Sequence, residues 1–493
     1  MTTTTLNDPE SRARSRRSSR GAIAAVILAA ILGYGMWAWA YEVGNGLGVT
    51  DMRNVQIWGL YIMTFMFFVG ASAGGMIVAS VATIFKIHKV EHLARTAILI
   101  SLVTIVIAGL LILPDLGQPG RFLELFYYAH WTSPMVWDVT IILVYAVFNI
   151  VYLWLHMRSD LAERHHWLAL GTKNTPATLR RDHKLIVGGA YLALPLAVAL
   201  HSITAWIVAT QPSHPYWNST LMAPWFVVSA IVSGIGLVVV VLLVLERMGR
   251  LSIGDAAHRW LTGFLATAIA VEVFFIAVEI ITISASRVPG DWSALKQLMV
   301  GSYGWIFWCE IGTLLLGLAL IVTPRGRADK RWSAAAAVAV IVSTMLMRGQ
   351  LMVGGLRYPN LGYAPGISLG TGSQLTTGGS VASGVQPFLP TNSSFVQIAH
   401  YNPTWVEWSI VIGFCALWGL LVMAGLRFLP MLPSPGAADN PNFDLNPGSA
   451  EAPRSVGAPP VVSPAGLAQA ARIEFEADRP PHGGPGYQDR PWK

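Results

Sequence analysis

Met222-Ala-Pro-Trp225-Phe-Val-Val-Ser229-Ala-Ile-Val-Ser-Gly234-Ile-Gly-Leu-Val-Val-Val-Val-Leu-Leu-Val-Leu245 is a run of 24 residues without a charged side chain. A hydrocarbon core about 30 Å thick needs about 20 apolar residues for one helical crossing, so this stretch reads as a membrane-spanning helix. Working outward, similar apolar runs occur at about 21–42, 55–85, 93–114, 133–157, 184–210, 260–284, 300–323, 332–353 and 404–427, separated mostly by short polar or Pro/Gly-containing loops. Of the 493 residues 54% are hydrophobic and 12% charged, about half the charged share of a soluble protein. The expectation is an all-α, polytopic integral membrane protein of about ten transmembrane helices.

The net charge of +7 raises the question of nucleic acid, and the placement of the basic residues answers it. With a cytoplasmic N-terminus, 27 Lys and Arg fall on the inner side. Six fall outside: Arg53, Arg121, Arg287, Lys296, Arg348 and Arg357. That bias is the positive-inside pattern of an N-in, C-in chain with an even number of crossings, so the basic charge reports topology in a bacterial cytoplasmic membrane and no nucleic-acid partner. The Arg-rich residues 12–20, followed by an apolar run and Ala38-Trp39-Ala40, imitate a cleaved secretion signal, but the run is too long for one and is kept as the first helix. Residues 1–20 read as a disordered basic arm, 21–429 as the transmembrane domain with a long outer segment at 354–403, and 430–493 as a disordered Pro-rich cytoplasmic tail.

Cys309 and Cys415 are the only cysteines. An iron–sulfur cluster normally takes four thiolates and a Cys-based zinc site two to four, so neither belongs to this chain. No P-loop, dinucleotide fingerprint or nucleophile elbow occurs in a strand–turn–helix context. Soluble-type catalysis therefore falls to another polypeptide.

Charged groups within a bilayer are costly enough that each needs a partner, a cavity or a function. The predicted helices carry His201, Glu272, Glu279 and Glu310, with Arg348 near the end of the ninth, Asp115 closing the third and Asp138 opening the fourth. At about 1.5 Å per residue, His201 and Glu310 lie at similar depth in the outer half, Glu279 a little higher and Glu272 near the middle. Such a ladder suits proton transfer. A neutral imidazole near a buried acid suits a quinone carbonyl, because one ring nitrogen donates while the other exchanges a proton. The same residues also fit ion transport, and each alone fits a helix–helix hydrogen bond. A membrane haem needs paired axial ligands, and His201 is the one histidine read as deep in a helix, so haem is not expected.

Three motifs follow in order: Trp58-Gly59 with Gly70-Ala-Ser72-Ala-Gly74-Gly75, then Leu113-Pro-Asp115-Leu-Gly117-Gln-Pro119, then Ser133-Pro-Met135-Val-Trp137-Asp138. In this they resemble the NrfD/polysulfide-reductase membrane-subunit family. His201-Ser-Ile-Thr-Ala-Trp206, Ala223-Pro-Trp225 with Ser229 and Gly234, Trp305-Ile-Phe-Trp308-Cys-Glu310 and Tyr401-Asn-Pro403-Thr-Trp-Val-Glu407 are similar to its ten-helix branch, which includes anchor subunits of hydrogenases, sulfite-reduction-associated complexes and alternative complex III. The resemblance covers about residues 50–425. It implies two four-helix bundles with additional helices, and a pocket near the outer face for menaquinone or ubiquinone as an exchangeable ligand. It further implies a four-cluster ferredoxin-like iron–sulfur partner, with a molybdopterin, hydrogenase or cytochrome subunit beyond it. On that basis Asn54, Trp58, Asp115, Asp138 and His201 are placed at the pocket, and Glu272, Glu279 and Glu310 on a proton route. Some relatives have histidine where this chain has Asp115, and Gln118 replaces a common Arg, so the local charge differs. The expected function is a quinone-reactive membrane subunit of an anaerobic respiratory oxidoreductase, not catalytic alone. The alternatives are a secondary transporter, suggested by the echo between Trp58…Gly70 and Trp225…Gly234, and an anchor with an inactive quinone site.

Overall fold

The computed structural model describes residues 9–53, 56–164, 167–211, 214–357 and 401–431. Asn54 and most of the segments 354–403 and 430–493 lie outside the described residues. Among those described, ten helices are long and apolar enough to cross a membrane. They are α1 (Pro9–Asn45), α2 (Leu60–Ile84), α3 (Ala94–Asp115), α4 (Pro134–Arg164), α5 (Pro176–Ala209), α6 (Met222–Arg247), α7 (Asp255–Ser286), α8 (Gly304–Ile321), α9 (Lys330–Arg357) and α10 (Trp405–Phe428). The apolar stretch of α1 begins at Gly21, but the helix itself starts at Pro9, inside the arm expected to be without structure. Proline at the first helical position, followed by Glu, Ala and Arg, favours helix there.

Local chemistry sets several boundaries. Thr175 opens α5 and Thr404 opens α10 with reciprocal capping boxes, which satisfy backbone N–H groups that a helix start leaves bare. Gly117, with φ +64°, turns the chain after α3, where any side chain would press on Leu47.

The packing forms two rings of four. Helix α2 lies against α3 and α5, with α4 closing the ring. Helix α6 lies against α7 and α9, with α8 closing the second. Helices α1 and α10 pair with each other and pack on α3. The spanning window of α2 is entirely buried whereas that of α1 is 11% buried, which makes α2 central and α1 peripheral. The rings meet where α2 crosses α6. A Cβ on Gly74 would lie 2.2 Å from the Gly234 Cα, and one on Gly234 2.4 Å from the Gly74 Cα. Small residues allow this backbone approach. Gly74→Leu is expected to force the bundles apart at a cost of at least about 1–3 kcal/mol, seen as a lower thermal midpoint in detergent; an unchanged midpoint contradicts the crossing.

Helices alternate in direction, so Asp138 marks one end of the first bundle and Arg158 the other. At the second end the Arg158 guanidinium, fully buried, donates to Asp182, to Thr172 and to Asn174, and Arg95 pairs with Asp160.

One expectation is corrected here. Arg348 is not an outer-surface residue: α9 continues to Arg357, and Arg348 is 0% exposed inside the protein. A run boundary drawn at the last apolar residues placed it at the rim, whereas the acids that face it come from α7 and α8.

Candidate functional site

Asp138 sits in the second turn of α4, 2% exposed, and Thr204 Oγ1 of α5 donates to its Oδ1 at 2.5 Å. His201 lies three residues before Thr204, hence on the same face of α5, and is also 2% exposed. Its Nδ1 is 2.8 Å from the Ala197 carbonyl, which can only accept, so Nδ1 carries the hydrogen and Nε2 of the neutral ring is left basic. The backbone of Val69 and Gly70 in α2 passes close to the ring, but among the described residues no protein group bonds Nε2. The structure thus brings Asp138 and His201 together through Thr204 at one end of the first bundle, without a direct bond between them.

Asp115 stands in other company. Its electrostatic neighbours are Glu42 of α1 and Glu407 of α10. Tyr61 donates to Glu42, and Tyr401 donates to Glu407. Glu407 also accepts from the backbone N–H groups of Asp51 (3.1 Å) and Thr404 (2.8 Å). Burial, then the Glu407 carboxylate, push the Tyr401 phenol well above its usual range, so it remains a donor. This cluster ties the peripheral pair α1/α10 to the start of α2. Trp58 packs its ring 6.0 Å from that of Trp217, whose Nε1 donates to the Leu351 carbonyl of α9.

In the second bundle Glu272 of α7 and Glu310 of α8 are 3% and 4% exposed, each with a carboxyl oxygen that has no partner among the described residues. Both lie within electrostatic reach of Arg348. That guanidinium donates to Ser229 Oγ at 2.7 Å and stands 3.8 Å from the centre of the Phe226 ring, while its Nε and Nη1 likewise have no partner there. Arg348 also reaches His201 electrostatically, and a Cβ on Gly70 of α2 would lie 3.8 Å from it. It therefore occupies the junction between the bundles. Glu279 is further along α7 and accepts from Ser219 at 3.2 Å. Tyr216 is within electrostatic reach of both Glu310 and Glu279: burial, then these two acids, push its hydroxyl well up, and Gln350 donates to it at 3.1 Å.

Arg348, Tyr216 and Glu42 were not singled out as site residues by the sequence. Tyr145, Asn149, Tyr152 and His156, on the same face of α4 as Asp138, were not singled out by the sequence either; their spacings of seven, four, three and four residues are the signal that could have found them. Among the described residues no group of three or more His, Cys, Asp or Glu is placed to hold a metal ion, and Cys309 and Cys415 are free.

Ten spanning helices among the described residues, eight in two four-membered rings and two paired beside them, with buried acids and an imidazole inside, define a polytopic membrane protein with an internal polar site. The profile of the family described as "Polysulphide reductase, NrfD" matches residues 48–360. A putative membrane-embedded component of a dimethyl sulfoxide reductase, from Halobacterium salinarum, is 37% identical over 414 residues, 82% of this chain and 90% of that protein. "Hdr-like menaquinol oxidoreductase integral membrane subunit" of Archaeoglobus fulgidus is 25% identical, covering 83% and 93%. "Menaquinone reductase, integral membrane subunit" of Nitratidesulfovibrio vulgaris is 22% identical, covering 81% and 89%. This chain belongs to the NrfD polysulphide reductase family and is a multi-pass membrane protein.

Proposed function

We propose that the chain is the quinone-reactive membrane subunit of a respiratory oxidoreductase, and that the quinone head group reacts between Asp138 and His201. The observation that carries this reading is the buried His201 ring, whose Nδ1–H is committed to Ala197 and whose Nε2 has no partner among the described residues, one turn from a carboxyl group anchored by Thr204. A buried polar atom without a partner calls for a ligand or water, and a quinol hydroxyl supplies a donor of matching chemistry. The names of two relatives, which refer to menaquinol and menaquinone, support menaquinone as the substrate.

Quinol oxidation to quinone releases two electrons and two protons. On this reading His201 Nε2 and the Asp138 carboxyl exchange the protons, while electrons cross to an iron–sulfur subunit docked at the Asp138 end. A molybdopterin, hydrogenase or cytochrome subunit would complete the complex. This reading requires no haem or iron–sulfur cluster in the chain itself. Asp115, with Glu42 and Glu407, sets the charge at the rim, and Asn54 and Trp58 are assigned to the pocket on the family resemblance. Glu272, Glu310 and, through Tyr216, Glu279 form a proton branch around Arg348. With both termini cytoplasmic the Asp138 end faces outward, and burial of Arg348 leaves 27 basic residues inside against five outside.

The test is quinol-dependent reduction of the partner's clusters in the purified complex. His201→Ala is expected to lower the rate at least about tenfold, since general acid–base groups contribute about 10²–10⁴, while His201→Gln, which keeps volume but cannot cycle a proton, stays equally slow. Wild-type rates in both variants contradict the assignment.

A further inference from the structure

We propose that the second bundle binds an anionic phospholipid through its phosphate, at the end away from Asp138, where Arg259 of α7, Arg325 and Arg327 of the α8–α9 connection and Arg331 of α9 are gathered. The proposal stands on these residues and does not depend on the quinone reading.

The connection is held in a fixed shape. Thr323 Oγ1 accepts from the Gly326 N–H at 3.1 Å, and Gly326 lies so close to the end of α8 that a Cβ there would stand 2.0 Å from the Leu320 carbonyl oxygen. The Arg327 carbonyl accepts from Thr262 Oγ1 of α7 at 3.2 Å. The arm of Arg327 then lies on α7 itself: a Cβ on Gly263 would be 3.9 Å from its Nη1 and 4.0 Å from its Cδ. Asp255 begins α7, which puts Gly263 about 12 Å along the helix at about 1.5 Å per residue. Arg259 is exposed one turn before Gly263, on the same face. Beyond Gly263 that face continues with the exposed Thr267 and then with Val271 and Phe274, 39% and 62% exposed. A basic end thus gives way to an outward-facing apolar stretch along one side of α7.

A guanidinium set against a spanning helix needs an anion. Elsewhere at this end of the protein acids supply one, as in Arg95–Asp160, Arg158–Asp182 and Lys330–Glu246. Among the described residues no acid forms an ion pair with Arg259, Arg325, Arg327 or Arg331. The nearest acid in sequence to Arg331, Asp329, instead accepts from its backbone N–H at 2.8 Å. The planar fork of arginine matches two oxygens of a phosphate, and basic pockets between spanning helices on the cytoplasmic side bind anionic head groups. Trp332, beside Arg331 and 52% exposed, has the amphipathic ring that favours the head-group level. A soluble phosphate would use the arginines alone. A phospholipid also uses the apolar stretch, its phosphodiester at Arg327 and an acyl chain along Val271 and Phe274.

The purified complex in neutral detergent tests this, with phosphatidylglycerol, phosphatidylcholine or inorganic phosphate added, through its thermal midpoint and the mass of the intact assembly. The wild type is expected to retain phosphatidylglycerol and to be stabilised by it, and not by the other two. Arg259→Gln/Arg327→Gln is expected to lower the apparent affinity for phosphatidylglycerol at least about tenfold, at about fivefold per arginine, with the lipid-free midpoint unchanged. Arg325→Gln/Arg331→Gln, confined to exposed side chains, is expected to act likewise and gives the same reading if the first pair unfolds. Lys89→Gln/Arg180→Gln removes as much exposed charge at the same end and is expected to keep the wild-type affinity. Wild-type affinity in both arginine pairs overturns the site, and so does an equal loss in the Lys89/Arg180 pair, which would reduce the effect to overall surface charge. Equal stabilisation by inorganic phosphate would assign the arginines to a soluble anion. Loss of a partner subunit from the arginine variants, with lipid affinity intact, would assign them to an acidic polypeptide; either result overturns the lipid site.

Discussion

Asp138→Asn lowers quinol-dependent electron transfer in the assembled complex by at least about a hundredfold, the low end of what a positioned general acid or base contributes. The substitution is nearly isosteric, and the amide oxygen still accepts from Thr204 Oγ1, now 2.5 Å from the carboxyl. The α4–α5 contact and the fold are therefore expected to survive, with unchanged complex yield and thermal midpoint. What disappears is the ability to take up and return a proton. Thr204→Val separates positioning from chemistry: it removes the hydroxyl that orients Asp138 but leaves the carboxyl, so a loss of about tenfold or less is expected, with the pH profile retained. If Asp138→Asn runs at the wild-type rate, the carboxyl is a helix–helix contact and nothing more.

Arg348→Met destabilises the protein by about 3–5 kcal/mol, the cost of removing one partner from a buried charge group. The guanidinium is 0% exposed and is the cation within electrostatic reach of both Glu272 and Glu310. Methionine restores much of the volume against Phe226 but leaves two acids without that counter-charge. The double variant Arg348→Met/Glu272→Gln is expected to recover part of the loss, since groups that share one electrostatic neighbourhood are not additive. Thermal unfolding followed by tryptophan fluorescence measures both. A single variant of wild-type stability, or a double variant showing the simple sum, contradicts the coupling.

The number of helices was legible because each crossing is an uninterrupted apolar run, and α6 and α2 fall within a few residues of where those runs begin and end. Their arrangement was legible only through motifs: the small residues Gly74 and Gly234 announce close packing, yet nothing local says that they meet each other. Arg348 was misplaced because its compensating acids are 76 and 38 residues away in sequence, on other helices. Asp115 and Asp138 looked like one rim because both terminate helices at the same end, whereas the structure gives Asp115 the acids of α1 and α10 as neighbours. The polar face of α4 went unread: Tyr145, Asn149, Tyr152 and His156 carry no charge that a bilayer would flag, and only the packing of α3 and α5 on α4 shows that the face is enclosed.

The most direct measurement is a map of the complex with a quinone-site inhibitor or quinone analogue bound. The account predicts a ring oxygen within hydrogen-bond distance of Asp138 or of His201 Nε2, in the first bundle. A head group lodged elsewhere, with both side chains sealed from it, would contradict the account.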